Sequence, residues 1–159
     1  MTEETELDPS AEIDTRKHIA RVSELLHLVV KTLLDRAGNH DRTKLESPEV
    51  ETFAVYTAKL KGISYDSEEY KECLAAMKPA LDHHYAKNRH HPEHFPNGVR
   101  DMTLIDILEM LVDWKAASER HNDGNILKSI EQNRARFSID MQLAEILVNT
   151  VSALGFVEA

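Results

Sequence analysis

Histidine is where this sequence departs from an ordinary soluble chain. Nine are present, and five of them (His83, His84, His90, His91 and His94) fall within twelve residues, with His121 further on. The remaining three are His18, His27 and His40, and His40 is followed directly by Asp41. Imidazole nitrogen and carboxylate oxygen together suit Mn, Fe, Co, Ni or Zn ions, and the single cysteine, Cys73, excludes a thiolate zinc site. A second chemistry-bearing group is acidic. Asp106, Glu109 and Asp113 stand at i, i+3 and i+7, which puts them on one face of a helix. Their neighbours Leu104, Ile105, Ile107, Leu108, Met110, Leu111, Val112 and Trp114 are apolar nearly all round, the pattern of a buried helix. Unpaired buried carboxylates cost several kcal/mol, roughly, so this stripe needs a metal, Arg120 or the histidines as a partner.

The elements that must position these groups read as helices throughout. Ile19, Val22, Leu26, Val29 and Leu33 step by three and four, an amphipathic period that starts after Asp8-Pro9 and stops near Gly38. His18 lies on the stripe of Val22, Leu25 and Val29 and is expected to face inward, with Asp14 one turn before it. A second helix begins at Ser47-Pro48-Glu49 and ends before Gly62; a third begins near Ser67, with Pro79 expected to kink or split it. Residues 88–98, with two prolines and a glycine, read as a loop. A fourth helix runs from about Thr103 to Arg120, opened by a Thr103/Asp106 capping box. Two more, about 125–137 and 139–154, part at Ser138 and end at Gly155. No alternating strand pattern occurs. The expected fold is all-α, one compact bundle of five to seven helices over residues 10–159, after a short acidic tail at 1–9.

Composition narrows the function classes. Of 159 residues, 42% are hydrophobic and 30% charged, enough apolar content for one globular core. A net charge of −9 disfavours generic binding to nucleic acid or anionic membrane. No apolar run approaches the ~20 residues that cross a bilayer. The N-terminus lacks a basic, apolar leader, and one cysteine cannot form an internal disulfide, so a reducing cytoplasm is expected.

An early helical His18, His40-Asp41 some 22 residues on, and a late helical Asp together resemble the metal-binding pattern of the HD-domain phosphohydrolase superfamily. The span from His83-His84 through a Pro/Gly loop to Asp113 is similar in layout to HD-GYP phosphodiesterases. The Gly-Tyr-Pro signature is absent, however, and no histidine lies between Asp41 and His83. More specifically, residues 14–150 resemble an uncharacterised family common in phages and bacteria, through HDRTKLESPE, YTAKLKG, MKPALDHHYAKNRHHPEHF, LIDILEM, DWKAASERHNDG and KSIEQNRARF. The HD resemblance implies an HD-like bundle with His18, His40 and Asp41 as metal ligands, Asp41 bridging two ions. It implies Asp113 closing the set, with Asp106 left open as an alternative, and His83 or His84 serving a second ion. It also implies a phosphate-facing Lys44.

The expected activity is a metal-dependent phosphohydrolase acting on a nucleotide or other small phosphate ester. One or two divalent ions (Mn, Fe, Co, Ni or Zn, with Mg open) would activate water, and Asp41 or Glu109 would take a proton. Lys44, Lys87, Arg89, His90, His91, His94 and Arg100 would form a cationic rim for the substrate. Blander roles stand beside these: a helix cap for Asp41, packing with Met77 and Leu81 for His84, solvated loop positions for His90, His91 and His94. Two rival readings remain. One is a MazG-like nucleoside-triphosphate pyrophosphatase using Mg²⁺ on Glu109, Asp113, Glu68 and Glu69; the other is a non-catalytic, metal-stabilised binding module. A homodimer is left open.

Overall fold

The computed structural model describes residues 9–60, 67–120 and 124–157; the expected helix end at Gly62 and His121 lie outside them. The described residues form six α-helices and no strand: α1 (Pro9–Asn39), α2 (Glu49–Leu60), α3 (Glu68–Lys87), α4 (Leu104–Ser118), α5 (Ile126–Phe137) and α6 (Met141–Ala153). Single-turn 3-10 segments lie at Arg42–Leu45, Pro92–His94 and Gly98–Asp101. The expected all-α architecture is what the chain adopts. Its backbone divides into two compact units, one through Gly38 and one from Asn39 onward.

The first unit is essentially α1. Its 31 residues follow the three-four apolar period, yet that stripe is exposed: Leu26 is 58% and Ile19 61% accessible. His18, expected to face inward, is exposed along with it. Amphipathic spacing specifies a face to be covered and says nothing of what covers it. No described helix is long and apolar enough to cross a membrane.

In the second unit, local chemistry sets each helix boundary. Ser67 accepts the Tyr70 backbone N–H at the start of α3, and Asp140 accepts that of Leu143 at the start of α6. The expected Thr103/Asp106 capping box opens α4. Ser138 ends α5 in the left-handed region, φ 52°. Gly155, φ 68°, ends α6 with Phe156 N–H on the Val151 carbonyl at 2.9 Å. Pro79 does not split α3, which runs unbroken to Lys87. The carbonyl that loses its partner belongs to Ala75, which is exposed and open to water.

The hydrophobic core joins Leu111 to Ile126, Ile130, Ile139, Ala144, Leu147 and Val151, and Trp114 and Phe137 stack beside it with ring planes 4° apart. The fourth helix is not buried all round as expected. Met110 and Leu111 are fully buried, while Leu104 is 80% and Val112 43% exposed, because α4 offers one flank to α5 and leaves its first turn outward. The segment expected as a plain loop is tied down at several points. Asn88 N–H bonds the His84 carbonyl, His94 Nδ1 donates to the Tyr85 carbonyl at 2.9 Å, and Arg89 makes a two-pronged bond to buried Asp106 at 3.2 and 3.0 Å.

Burial works to raise the Asp106 pKa, but Arg89 and the Thr103 amide and hydroxyl outweigh it and hold the carboxyl low. A depressed folded pKa contributes stability that is present above the unfolded value, ~3.9, and lost as pH falls through the folded one. Asp106→Asn is therefore expected to lower unfolding free energy at pH 7 by on the order of 2 kcal/mol. The gap from wild type should close as pH drops below about 4, read from urea melts across pH.

Candidate metal centre

His40 and Asp41 leave α1 in a tight turn. Asp41 adopts the left-handed region, φ 55°, and its side chain caps no backbone amide of the turn that follows. Asp and Asn tolerate this conformation better than most residues, and here it frees the carboxylate for other partners. Grouped with it are His84 from the last turn of α3, His90 and His91 from the segment beyond, and, with His40, Asp113 from α4. Asp41 Oδ1 lies 3.2 Å from His84 Nε2 and 3.4 Å from His90 Nε2, and His84 Nε2 lies 2.9 Å from His91 Nε2. On the other side of the same carboxylate, His40 Nε2 stands 3.6 Å from Asp41 Oδ2 and 3.6 Å from Asp113 Oδ1.

Those spacings are what donors around one ion show. With bonds near 2.1 Å, neighbouring ligands lie about 3.4 Å apart in a tetrahedron and about 3.0 Å apart in an octahedron. Four donors, from Asp41, His84, His90 and His91, form one such group, and three, from His40, Asp41 and Asp113, form another. Asp41 Oδ1 and His90 Nε2 are buried, face one another, and have no hydrogen-bond partner. Buried polar atoms of this kind are costly unless something satisfies them. The donor set therefore fits divalent ions of the imidazole-binding class better than Mg²⁺, which favours all-oxygen shells.

Behind the inner donors stand two further carboxylates. Glu49, fully buried at the first position of α2, accepts from His84 Nδ1 at 2.8 Å, His83 Nδ1 at 2.7 Å and the Thr43 hydroxyl at 3.0 Å. Glu109 Oε1 lies 2.9 Å from His40 Nδ1 and 3.1 Å from His90 Nδ1. Each carboxylate takes the Nδ1 side of its rings and thereby turns Nε2 of His84, His40 and His90 inward, the outer support that metal-ligating histidines generally have. Glu109 also belongs to a third group of close donors with His40 and His90. Its contacts there are on the same Nδ1 atoms, at hydrogen-bond length.

The electrostatics follow from this packing. Burial pushes the Asp41 pKa up, but His84, His90 and Lys44 outweigh it and hold the carboxyl well below the usual range. Asp113 and then Glu109 raise His40 to about 10, against its partial burial. Burial, and then the neighbouring His90 and His84, depress His91 to about 3, which leaves it a neutral imidazole. Glu49 is held low by His83, Thr43 and His84 in spite of burial.

Of the residues singled out from sequence, His40, Asp41, His84 and Asp113 come together. His90 and His91 are part of the centre itself rather than of a substrate rim. His83 sits one layer out, on Glu49, and Asp106 is committed to Arg89 and the α4 cap. Arg89 is held by that pair and lies 4.8 Å over the Phe95 ring, and His94 is bonded to backbone. Lys44 pairs with Asp41 and keeps 38% of its side chain exposed; Lys87 and Arg100 are exposed. His18, in the separate first unit, belongs to none of the donor groups. Glu68 pairs with Lys71 at the far end of α3, about 24 Å along the helix from His84, so the MazG-like carboxylate set is not assembled there. Glu49 was not among the expected site residues. In sequence it is one more acid in a helix's first turn, indistinguishable from Glu51.

The family model of DUF5662, a family of unknown function, matches residues 9–153, and the chain belongs to that family; the match carries no link to the HD-domain superfamily. No curated protein and no solved structure matches the chain.

Glu49→Gln keeps the shape of the side chain but removes the charge and one acceptor. Loss of such outer partners typically costs 10–100-fold in metal affinity, so a weakening of about that size is expected with helicity unchanged. Titration of Zn²⁺ or Mn²⁺ against a chromophoric chelator reads it directly; wild-type affinity would remove the supporting role.

Proposed function

We propose that this DUF5662 protein is a metal-dependent phosphohydrolase that acts on a nucleotide or other small phosphate ester, with an HD-type arrangement of ligands. The observation that carries the reading is the Asp41 carboxylate, whose two oxygens each face a separate set of nitrogen and oxygen donors. Asp41 would bridge two divalent ions. His84, His90 and His91 would hold one ion with it, and His40 and Asp113 the other. Ions held there would supply Lewis acidity toward a phosphoryl oxygen and lower the pKa of water.

The chain's own groups would do the rest. Lys44 stands beside Asp41, partly exposed, with its ammonium 5.7 Å from the Phe53 ring centre, where it can meet a phosphate oxygen. Glu109 is engaged by two ligand rings, so its role would be to hold them; with Asp41 bridging the ions, a proton released from water would pass to solvent. His40 is a cation without metal, so binding an ion must displace protons, and affinity should rise with pH.

The test uses protein purified without a histidine tag. Elemental analysis should find a transition metal, and release of phosphate or p-nitrophenol from a panel of phosphate esters should depend on it. His40→Ala and Asp41→Ala are each expected to lose both metal and turnover by at least 100-fold. Wild-type metal content in these variants would remove the assignment. Full metal content with no turnover on any ester would favour a metal-stabilised binding module.

A further inference from the structure

The exposed face of α1 has a register of its own. Numbering its apolar seam as a heptad places Ile19, Leu26 and Leu33 at a and Val22 and Val29 at d, with Leu25 and Val30 on the flanks. The outermost positions of that heptad hold Lys17, Glu24 and Lys31. Ile19, Val22, Leu25, Leu26, Val29 and Val30 are 40–61% exposed, several hundred Å² of continuous apolar surface on one helix. A free monomer rarely leaves more than that wet, and one side of a standard interface needs about 800 Å².

The ends of the seam say which partner fits. One heptad step before the apolar run, position a is Glu12; one step after it, position d is Arg36. In an antiparallel pair of α1 helices, a faces d of the partner, and a single register satisfies the whole seam. Glu12 then faces Arg36 of the other copy, Thr15 faces Leu33, Ile19 faces Val29 and Val22 faces Leu26, each pairing occurring twice about the two-fold axis. A parallel pair would instead stack Glu12 on Glu12 and Arg36 on Arg36 in the same layers. Charge over the helix does not oppose association, since four acids (Glu12, Asp14, Glu24, Asp35) balance five bases (Arg16, Lys17, Arg21, Lys31, Arg36) in a chain otherwise strongly acidic.

We infer that α1 is a self-association element, pairing antiparallel with α1 of a second copy of this chain through the Ile19–Leu33 seam. The pairing is independent of the metal reading, because no residue of the seam belongs to the centre.

Sedimentation equilibrium of the full chain tests it. Wild type should be a dimer, and Leu26→Glu, which puts a charge beside the two-fold axis, a monomer of unchanged helicity. Glu12→Arg and Arg36→Glu each place like charges in both end layers, so each should weaken the dimer at least tenfold. The double variant Glu12→Arg/Arg36→Glu restores opposite charges and should recover wild-type association. Glu12 and Leu26 are exposed and Arg36 is half-buried, so circular dichroism accompanies each variant, and Glu12→Arg carries the charge test should Arg36→Glu lose helicity. A wild-type monomer at every concentration would overturn the inference, as would a dimer that Leu26→Glu leaves untouched. Single charge variants that associate like wild type would overturn the antiparallel register.

Discussion

A carboxylate surrounded by protein must have its charge answered, and the residues from His40 to Asp113 are arranged around that demand at Asp41. Removing an ion from water costs several kcal/mol, of the same order as a whole domain's net stability. Asp41 is presented on a left-handed turn, with no amide to cap, to three imidazoles and one ammonium. Even so, one of its oxygens stays unsatisfied next to an equally unsatisfied imidazole nitrogen.

The outer layer explains why the inner one keeps its shape. An imidazole has two nitrogens, and which one offers a lone pair is decided by what holds the other. Glu49 decides it for His84, and Glu109 for His40 and His90, so that three of the four rings are held from behind as they converge on Asp41. Both outer acids sit on helices, at the start of α2 and in the middle of α4, where backbone position is fixed by packing. Helix α4 is the common wall: Glu109 and Asp113 face the centre, while Leu111 is part of the apolar core shared with α5 and α6. Rigidity in that core is therefore transmitted to the ligand geometry through a single element.

Much of this was legible in the sequence, for identifiable reasons. Helix starts at Ser67 and Thr103, and stops at Ser138 and Gly155, follow from residues that satisfy or release nearby backbone groups, which is local information. His40, Asp41, His84 and Asp113 were readable as candidates because their order and spacing resemble the HD-domain pattern. What local order does not encode is which layer a group occupies. His90 and His91 read as a cationic rim because they sit in a segment with two prolines, a glycine and no apolar period. Only the fold of residues 88–98 back onto α3 brings them inside, and the same fold commits Arg89 to Asp106. Glu49 was invisible because burial of its carboxylate depends on α2 packing against α3, 34 residues downstream at His83.

The apolar stripe of α1 exposes a different boundary of sequence reading. A three-four period is equally consistent with a helix that packs into its own core and one that packs against another molecule, so it placed His18 on an inward face on grounds that fit both. The two cases differ at the margins of the stripe. A helix embedded in its own domain meets different neighbours at its two ends, and nothing relates the residues that interrupt the seam there. Here the interruptions are an acid and a base, Glu12 and Arg36, equidistant from Glu24, with Ile19 and Val29, and Val22 and Leu26, paired about the same point. Symmetry of that kind within one helix is what a two-fold axis requires of a self-complementary surface.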